Sequence, residues 1–329
     1  MVADVGHLTM LGPPALSYSM ATRAHLSLLA VVVIWAGSFS VIKTLLDHDV
    51  AAIDVAILRY AIAAPGFVFI LWRTRGLPGL TRRDAVRVVA AGVLIVVGYH
   101  LFLNIGVRHT TSGVAALVVA LSPGMTLLLA LALGLDRIRP RHVVGLAVAF
   151  AGVAVVVAWG TGQSVSISNL KGPLIVLGAP LAFALYNVIL KPLLGRHDLL
   201  ALTAATSLIG TLGLTPLLRA STLDAVVDAS AVDVALILYL GVLATLLGYI
   251  GWNIGLRGLG PTRAVAYTYA ISPLAVLIAA ALLDEALTMW LALGAALVVG
   301  GIALAQRKPA RESSASVGRW WSAPSRSQS

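Results

Sequence analysis

The sequence predicts an all-α integral membrane protein in which ten transmembrane helices form two inverted repeats of five helices each. Composition is the first observation behind this prediction: of 329 residues, 59% are hydrophobic and 11% are charged, with a mean hydropathy of +0.96. Soluble globular domains contain about 45–50% apolar and about 25% charged residues. The chain also lacks cysteine, which excludes a disulfide scaffold and a Cys-ligated metal site.

The second observation is the number of long apolar runs. A bilayer core about 30 Å thick is crossed by about 20 helical residues, and helices are required because lipid cannot hydrogen-bond a bare backbone. Ten such runs leave no segment of domain size between them. They are Leu26–Leu45, Ile53–Leu71, Ala85–Val107, Gly113–Leu135, Val143–Trp159, Gly172–Leu190, Leu199–Leu218, Val234–Ile254, Ala264–Leu283 and Met289–Ala305.

The third observation is an internal similarity between the two halves. The recurring motifs, each at an offset of 149 or 150 residues, are Gly92-Val-Leu with Gly241-Val-Leu, Asn104-Ile-Gly with Asn253-Ile-Gly, and Ser122-Pro123 with Ser272-Pro273. Because each half carries five spans, an odd number, the second half enters the membrane from the other side. Inverted repeats allow a transporter to open a midplane site to either side in turn. The alternative is that duplication only enlarged the protein.

The short linkers predict how the chain is organised. We expect one repeat over residues 25–160 and a second over 171–306, flanked by disordered cytoplasmic tails over 1–24 and 307–329. Met20, followed by Arg23, offers an alternative translational start, so the sequence leaves open whether translation begins at Met1 or Met20.

In a soluble protein, a net charge of +10 would indicate nucleic-acid binding. In a membrane protein it indicates that basic residues are concentrated on one side of the bilayer. With the N-terminus in the cytoplasm, 18 of the 23 Lys and Arg residues fall on the cytoplasmic side and three on the other. We therefore expect a multi-pass protein of the cell membrane, with both termini cytoplasmic and no nucleic-acid partner.

Several motifs carry a resemblance to a known family. In the first half they are Ile34-Trp35-Ala36-Gly37-Ser38-Phe39, Lys43 and Leu58-Arg59-Tyr60, and in the second half Ala264–Ala270, Ser272-Pro273, Leu283-Asp284-Glu285 and a last span rich in glycine. With these motifs the chain resembles the EamA-type transporters of the drug/metabolite transporter superfamily, over about residues 26–307. The resemblance implies two EamA repeats and the export of small organic metabolites. It leaves the cargo open, because members handle amino acids, nucleosides, sugars and toxic compounds. The repeat-end glutamate of the family is Glu285 in the second half but Asp136 in the first.

Polar side chains at membrane depth are costly, so those in the third span of each half are candidates for a binding site. His100 and Asn104 share one helix face, and the repeat places Tyr249 and Asn253 at the equivalent positions. Related by a pseudo-two-fold axis, the two faces meet near the midplane. The alternative for each asparagine is a hydrogen bond that packs the bundle. His100 is the natural candidate if transport is coupled to protons, although a coupling ion remains unknown.

Further candidates lie on the other helices. The first spans of the two halves offer aromatic and small polar groups suited to an amphipathic substrate: Trp35, Ser38 and Phe39, matched by Phe183, Tyr186 and Asn187. Tyr269 and Ser272, three residues apart, could present their hydroxyls together. Pro123 and Pro273 interrupt helices and are predicted to be hinges, or alternatively static bends. Arg59 is assigned to a gate, where it attracts an anionic group such as a carboxylate or pairs with Asp54 or Asp47.

Motifs for other chemistry are absent from the sequence. It contains no Walker A loop, no His-Glu-x-x-His and no Gly-x-Ser-x-Gly. We therefore expect no enzyme, no cofactor and no metal, but a secondary transporter that binds a small molecule within the lipid bilayer, of unknown oligomeric state. The alternatives are an intramembrane lipid-modifying enzyme and a non-transporting scaffold or receptor.

Overall fold

The computed structural model of the chain describes residues 15–135, 138–160 and 167–306. In this part of the chain ten helical segments are long and apolar enough to cross a membrane, and there is no β-strand. Numbered spans 1 to 10, they are Met20–Asp47, Ala52–Arg73, Arg82–Val107, Ser112–Ala132, Pro140–Trp159, Leu170–Leu193, Leu199–Leu217, Ala231–Leu259, Arg263–Leu283 and Met289–Gln306. Each coincides with one predicted run, so the all-α, ten-span prediction is confirmed.

The first helix extends beyond the span that it contains. It begins at Ala15 and ends at Asp47, so residues 15–24, which were expected to belong to a disordered tail, are helical. The rest of that expected tail, residues 1–14, lies outside the described residues, as do the expected tail over 307–329 and Asp136.

Several spans are interrupted, and the interruptions recur between the halves. A π-helical segment occurs in span 3 and again at the equivalent place in span 8, and spans 4 and 9 each break just before the Ser-Pro pair. The segments are Arg82–Gly92, Val93–Gly98 (π) and Tyr99–Val107 in span 3; Ala231–Leu238, Tyr239–Leu247 (π) and Gly248–Leu259 in span 8; Ser112–Val119 and Ser122–Ala132 in span 4; Pro261–Thr268 and Ile271–Leu283 in span 9. Irregular backbone at membrane depth is tolerated where it is buried in protein or lines a cavity.

The remaining elements are simpler. Span 6 consists of Ile167–Val176 and Gly178–Leu190, and span 7 of Leu199–Leu214, each followed by a short 3₁₀ turn. Spans 2, 5 and 10 are single helices over the ranges given above. A short helix, Ala220–Val227, lies between spans 7 and 8.

The helix packing repeats when the two halves are exchanged. Span 1 packs against spans 8 and 9, and its equivalent, span 6, packs against spans 3 and 4. Span 7 contacts span 3 as span 2 contacts span 8, and spans 2 and 7, 4 and 9, and 5 and 10 pair with their own equivalents. The packing therefore fits two inverted five-helix repeats. Because ten is even, the described chain begins and ends on one face, here called the terminal face; the other is the opposite face.

Spans 5 and 10 form the most extensive helix pair, and glycines bring their backbones together. A Cβ atom on Gly301 would lie 2.5 Å from the Ala149 nitrogen and 2.6 Å from the Gly145 carbonyl oxygen. A Cβ atom on Gly145 would lie 2.5 Å from the facing backbone, and one on Gly152 or Gly294 would lie 2.8 or 2.9 Å from it. Small residues permit such close approaches. Helix association in a bilayer depends on this packing, because an apolar side chain gains little free energy when it moves from lipid to a protein interface.

We predict that Gly301→Ala destabilises the protein and that Gly300→Ala does not. The first change forces a methyl group into the backbone of span 5, at a cost of about 1–3 kcal/mol for overpacking. The second is the matched control, because no atom lies within 4 Å of a Cβ placed on Gly300. Thermal unfolding of the purified variants measures the difference, and equal melting temperatures for the two would contradict the close packing.

Candidate functional site

A cavity of about 190 Å³ lies between the two halves. Its wall combines residues from spans 1 to 4 of the first half with residues from spans 6, 8, 9 and 10 of the second. The polar and aromatic wall residues are Trp35, Ser38, Phe39, Arg59, Tyr99, His100, Ser122, Phe183, Tyr249, Thr268, Tyr269 and Ser272. None of the wall residues is Asp or Glu.

Aromatic rings form one side of the cavity. The Trp35 Nε1 group donates a hydrogen bond of 2.9 Å to the Ala244 carbonyl oxygen, within the π-helical segment of span 8. Its ring meets the Tyr249 ring edge-on, with 6.1 Å between centroids. Tyr99 and Phe183 form a second pair at 6.3 Å. This wall suits the apolar or aromatic part of a small ligand.

A buried polar cluster joins the third span of each half. The Tyr60 hydroxyl lies 2.8 Å from His100 Nε2 and 3.5 Å from the Tyr249 hydroxyl. His100 is 3% exposed, and its Nδ1 atom has no hydrogen-bond partner. Tyr60, which was not predicted as a site residue, therefore connects His100 and Tyr249, the two residues that the repeat made equivalent.

The breaks in spans 4 and 9 lie at the cavity. Pro123 has no N–H, and the Ser122 hydroxyl donates to the Val119 carbonyl oxygen at 2.6 Å. The Ser272 hydroxyl donates instead to Ala116 in span 4, at 2.8 Å. Tyr269 is hydrogen-bonded to Gln306. Pro123 lies on the wall and Pro273 does not, and the hinge role of both remains a prediction.

Four of the predicted binding residues do not line the cavity. Asn104 donates from Nδ2 to the Ala52 carbonyl oxygen at 3.0 Å, and Asn253 donates to Tyr249 of its own helix at 2.8 Å. Asn104 thus bonds a neighbouring span, as the packing alternative expects. Tyr186 packs against Phe183, and neither Tyr186 nor Asn187 reaches the wall.

Three polar or aromatic wall residues, Tyr99, Ser122 and Thr268, were not among the predicted binding residues. Tyr99 follows Ile95 and precedes Leu103 at helical spacing, and all three face the cavity. Phe183 is the repeat equivalent of Trp35. That equivalence identifies Phe183 from the sequence, whereas Tyr99 shares its helix face with the apolar residues Ile95 and Leu103 and so did not stand out as a polar position.

Two polar clusters, one at each face, connect the halves. In the Asp84 cluster, at the terminal face, the carboxylate accepts hydrogen bonds from Arg196 Nη2 at 2.8 Å, Arg87 Nη1 at 3.1 Å and Thr81 Oγ1 at 2.8 Å. Asp84 is 2% exposed. The ion pair with Arg196 connects span 3 of the first half to the second half.

The Asp233 cluster is the repeat equivalent, at the opposite face. Ser230 and Asp233 stand 149 residues after Thr81 and Asp84, and each pair begins its helix as a capping residue with an acid three residues later. The Asp233 carboxylate lies 2.6 Å from His48 Nδ1, in the first half, and accepts from the Ser230 hydroxyl at 2.6 Å. A buried aspartate at the start of a capped helix therefore connects the two halves at both faces.

Further contacts between the halves occur at the opposite face. Glu285 follows Asp284, whose left-handed backbone (φ 53°) ends span 9. The Glu285 carboxylate accepts hydrogen bonds from the Ser112 and Gly113 N–H groups at 2.6 and 3.0 Å, and so caps the first helix of span 4. Asp54 accepts from the Ser221 and Thr222 hydroxyls.

The described residues contain no group of three or more His, Asp or Glu side chains placed to hold a metal ion. The hydroxyls of Ser38, Ser122 and Ser272 all donate to backbone carbonyl oxygens, and none is bonded to His100.

Ten apolar spans, two inverted halves and a cavity between them define a polytopic membrane protein of the transporter class. The EamA-like transporter family matches the chain twice, over residues 22–158 and 170–306, and the chain belongs to this family. A protein from Archaeoglobus fulgidus named as a transporter is 32% identical over 84% of this chain and 96% of its own length. A probable terminal-alkyne amino-acid exporter from Streptantibioticus cattleyicolor is 29% identical over 87% of this chain and 94% of its own. A crystal structure with 22% identity shares the fold, with a TM-score of 0.56 over 87% of this chain and 96% of that one.

We predict that Asp84→Asn loosens the terminal face and that Asp233→Asn loosens the opposite face. Loss of a charge-assisted hydrogen bond costs about 1.5–3 kcal/mol, which corresponds to a shift of about tenfold or more in a two-state equilibrium. Because the chain has no cysteine, Ser38→Cys introduces a single reporter thiol on the cavity wall.

The measurement is the labelling rate of that thiol by an impermeant maleimide applied to either side of membrane vesicles, with a C-terminal tag marking the terminal face. Each variant should accelerate labelling from its own face, and each serves as the matched control for the other. Equal acceleration from both faces, or none, would contradict the assignment of the clusters.

Proposed function

We propose that the protein is a secondary transporter that exports small organic metabolites, such as amino acids or amphipathic compounds, by alternating access between its two halves. The observation that carries the proposal is the cavity. Both halves contribute to its wall, and it lies between the Asp84 cluster and the Asp233 cluster, which connect the halves at the two faces. A rigid-body movement of one half against the other would open one cluster while the other stays closed.

The size and chemistry of the cavity support a small amphipathic cargo. A volume of about 190 Å³ is below the range of about 300–1,000 Å³ typical of sites for drug-sized ligands. A cavity of about 150 Å³ accommodates benzene. The wall pairs aromatic rings with a few polar groups that could orient such a molecule.

The recurring breaks support a conformational change. Spans 4 and 9 are each divided by a turn before a Ser-Pro pair, and they pack against each other. We assign the hinges to these breaks, at Pro123 and Pro273, because a discontinuous helix can bend there without breaking a run of backbone hydrogen bonds.

The direction of transport rests on the relatives and on charge. The Streptantibioticus cattleyicolor relative is named as an exporter of an amino acid. The excess of Lys and Arg in alternate linkers favours cytoplasmic termini, which makes the terminal face the cytoplasmic one. Without a Walker A loop in the sequence, we propose an ion or substrate gradient as the driving force, with His100 as the candidate proton carrier.

We predict that Trp35→Ala lowers transport at least about tenfold and that Asn187→Ala leaves it unchanged. The first change removes a ring from the cavity wall, whereas Asn187 lies on the equivalent helix but away from the wall. Cargo is first selected by metabolite profiling of cells with and without the protein, and uptake is then measured in proteoliposomes. Trp35→Phe, which restores an aromatic ring, should regain part of the activity.

Folding of each variant is checked by its thermal unfolding. Two results would overturn the proposal: no tested metabolite crosses proteoliposomes that contain the wild-type protein, or a folded Trp35→Ala variant transports as well as the wild type.

A further inference from the structure

Arg59 carries a charge in the wall of the cavity without an acidic partner. It lies in span 2 and is 6% exposed. Its Nε group donates to the Thr245 hydroxyl, and it makes no other hydrogen bond within the described residues. No Asp or Glu of that part of the chain lies within ion-pair distance of its guanidinium group.

The two acids that the sequence offered as partners are engaged elsewhere. Asp54 accepts hydrogen bonds from Ser221 and Thr222, and Asp47 pairs with Lys43 at 2.9 Å. The expected pairing of Arg59 with Asp54 or Asp47 is therefore not formed. A guanidinium group that is buried without a counter-ion is costly, and in a membrane protein it indicates a binding role.

The surroundings fix the direction of the guanidinium group. The Thr245 hydroxyl donates its own proton to the Leu240 carbonyl oxygen at 2.8 Å, a bond that the π-helical segment of span 8 permits. Its oxygen therefore accepts from Arg59 Nε, and that bond leaves the terminal Nη donors of Arg59 free for a ligand in the cavity. Such a planar pair of donors matches a carboxylate.

The repeat argues against a purely structural role. The halves share their helix packing and their capped aspartate clusters, yet an offset of 148 or 149 residues places Arg59 opposite Ser207 or Leu208. A charge required by the five-helix fold itself would be expected in both halves. The single charge instead makes the cavity asymmetric.

We infer that the cavity binds its ligand through one carboxylate held by Arg59, with the apolar part of the ligand against Trp35, Tyr99 and Phe183. The inference rests on the proposed function, because it names the cargo class of the same cavity. With Arg59 on the wall and no Asp or Glu, the wall favours a net negative ligand and disfavours a net cation. The α-amino group of an amino acid would have only hydroxyls, carbonyl oxygens and ring faces as partners.

The test compares three probes of nearly equal size: 3-phenylpropionate, 3-phenylpropanamide and 3-phenylpropylamine. Their binding to the purified full-length protein is measured by isothermal titration calorimetry. We expect the carboxylate to bind at least tenfold more tightly than the amide, and the amine to bind more weakly than either. Phenyl phosphate, a fourth probe, distinguishes a carboxylate site from one that accepts any anion.

Four variants assign the selectivity to Arg59. Arg59→Gln should remove the preference for the carboxylate over the amide, and Arg59→Lys should retain part of it. Thr245→Val keeps the charge but removes the acceptor that orients it, so the preference should fall to an intermediate value. The matched control is Arg108→Gln, which removes an exposed arginine that is absent from the cavity wall and should leave the preference unchanged.

The inference would be overturned if the three probes bound equally or not at all, or if Arg59→Gln kept the preference for the carboxylate. If phenyl phosphate bound more tightly than 3-phenylpropionate, the ligand group held by Arg59 would be a phosphate rather than a carboxylate. These outcomes are separate from the transport assay. Transport of a neutral metabolite without selectivity for carboxylates would leave the proposed function intact, whereas Arg59-dependent binding without any transport would overturn the proposed function alone.

Discussion

Every backbone polar group at membrane depth must find its partner inside the protein, and the rest of the structure depends on this constraint. Hydrocarbon supplies no hydrogen bonds, so a chain of this composition crosses the membrane as helices. Where a helix is irregular, a side chain completes the bonding: Ser122 donates to the Val119 carbonyl oxygen and Thr245 to the Leu240 carbonyl oxygen. Both bonds lie next to the cavity. Each irregular segment thus contributes residues to the protein interior or to the cavity wall.

The same constraint explains how the few charged groups are distributed. Asp84 and Asp233 are both nearly buried, and each is surrounded by donors from its own helix cap and from the other half. Their equivalence shows that the repeat preserves polar connections as well as the apolar core. Arg59 departs from this pattern, because it belongs to one half only and has no acid beside it. The symmetric charges connect the halves, and the asymmetric charge faces the space between them.

Periodicity and repeat alignment predicted most of the site but not all of it. Trp35, His100, Tyr249 and Ser272 reach the cavity wall, whereas Asn104 and Asn253 face away from it. The predicted stripe treated residues four apart as facing the same way, although four residues turn an α-helix about 40° past a full turn. His100 and Asn104 belong to one regular helix, Tyr99–Val107, in which Tyr99, His100 and Leu103 face the cavity while Asn104 turns towards span 2.

The sequence by itself determined the class of the fold, the ten spans and the inverted repeat, because hydrophobic length and internal similarity are properties of the chain that do not depend on contacts. Tertiary structure decided which polar groups share a cavity, which connect the two halves and which residues lack partners. The pairing of Glu285 with Ser112, of Asp84 with Arg196 and of Arg59 with Thr245 joins residues more than 100 positions apart. Such contacts depend on helix rotation and on the close approach of glycine-lined helices, and no local pattern in the sequence specifies either.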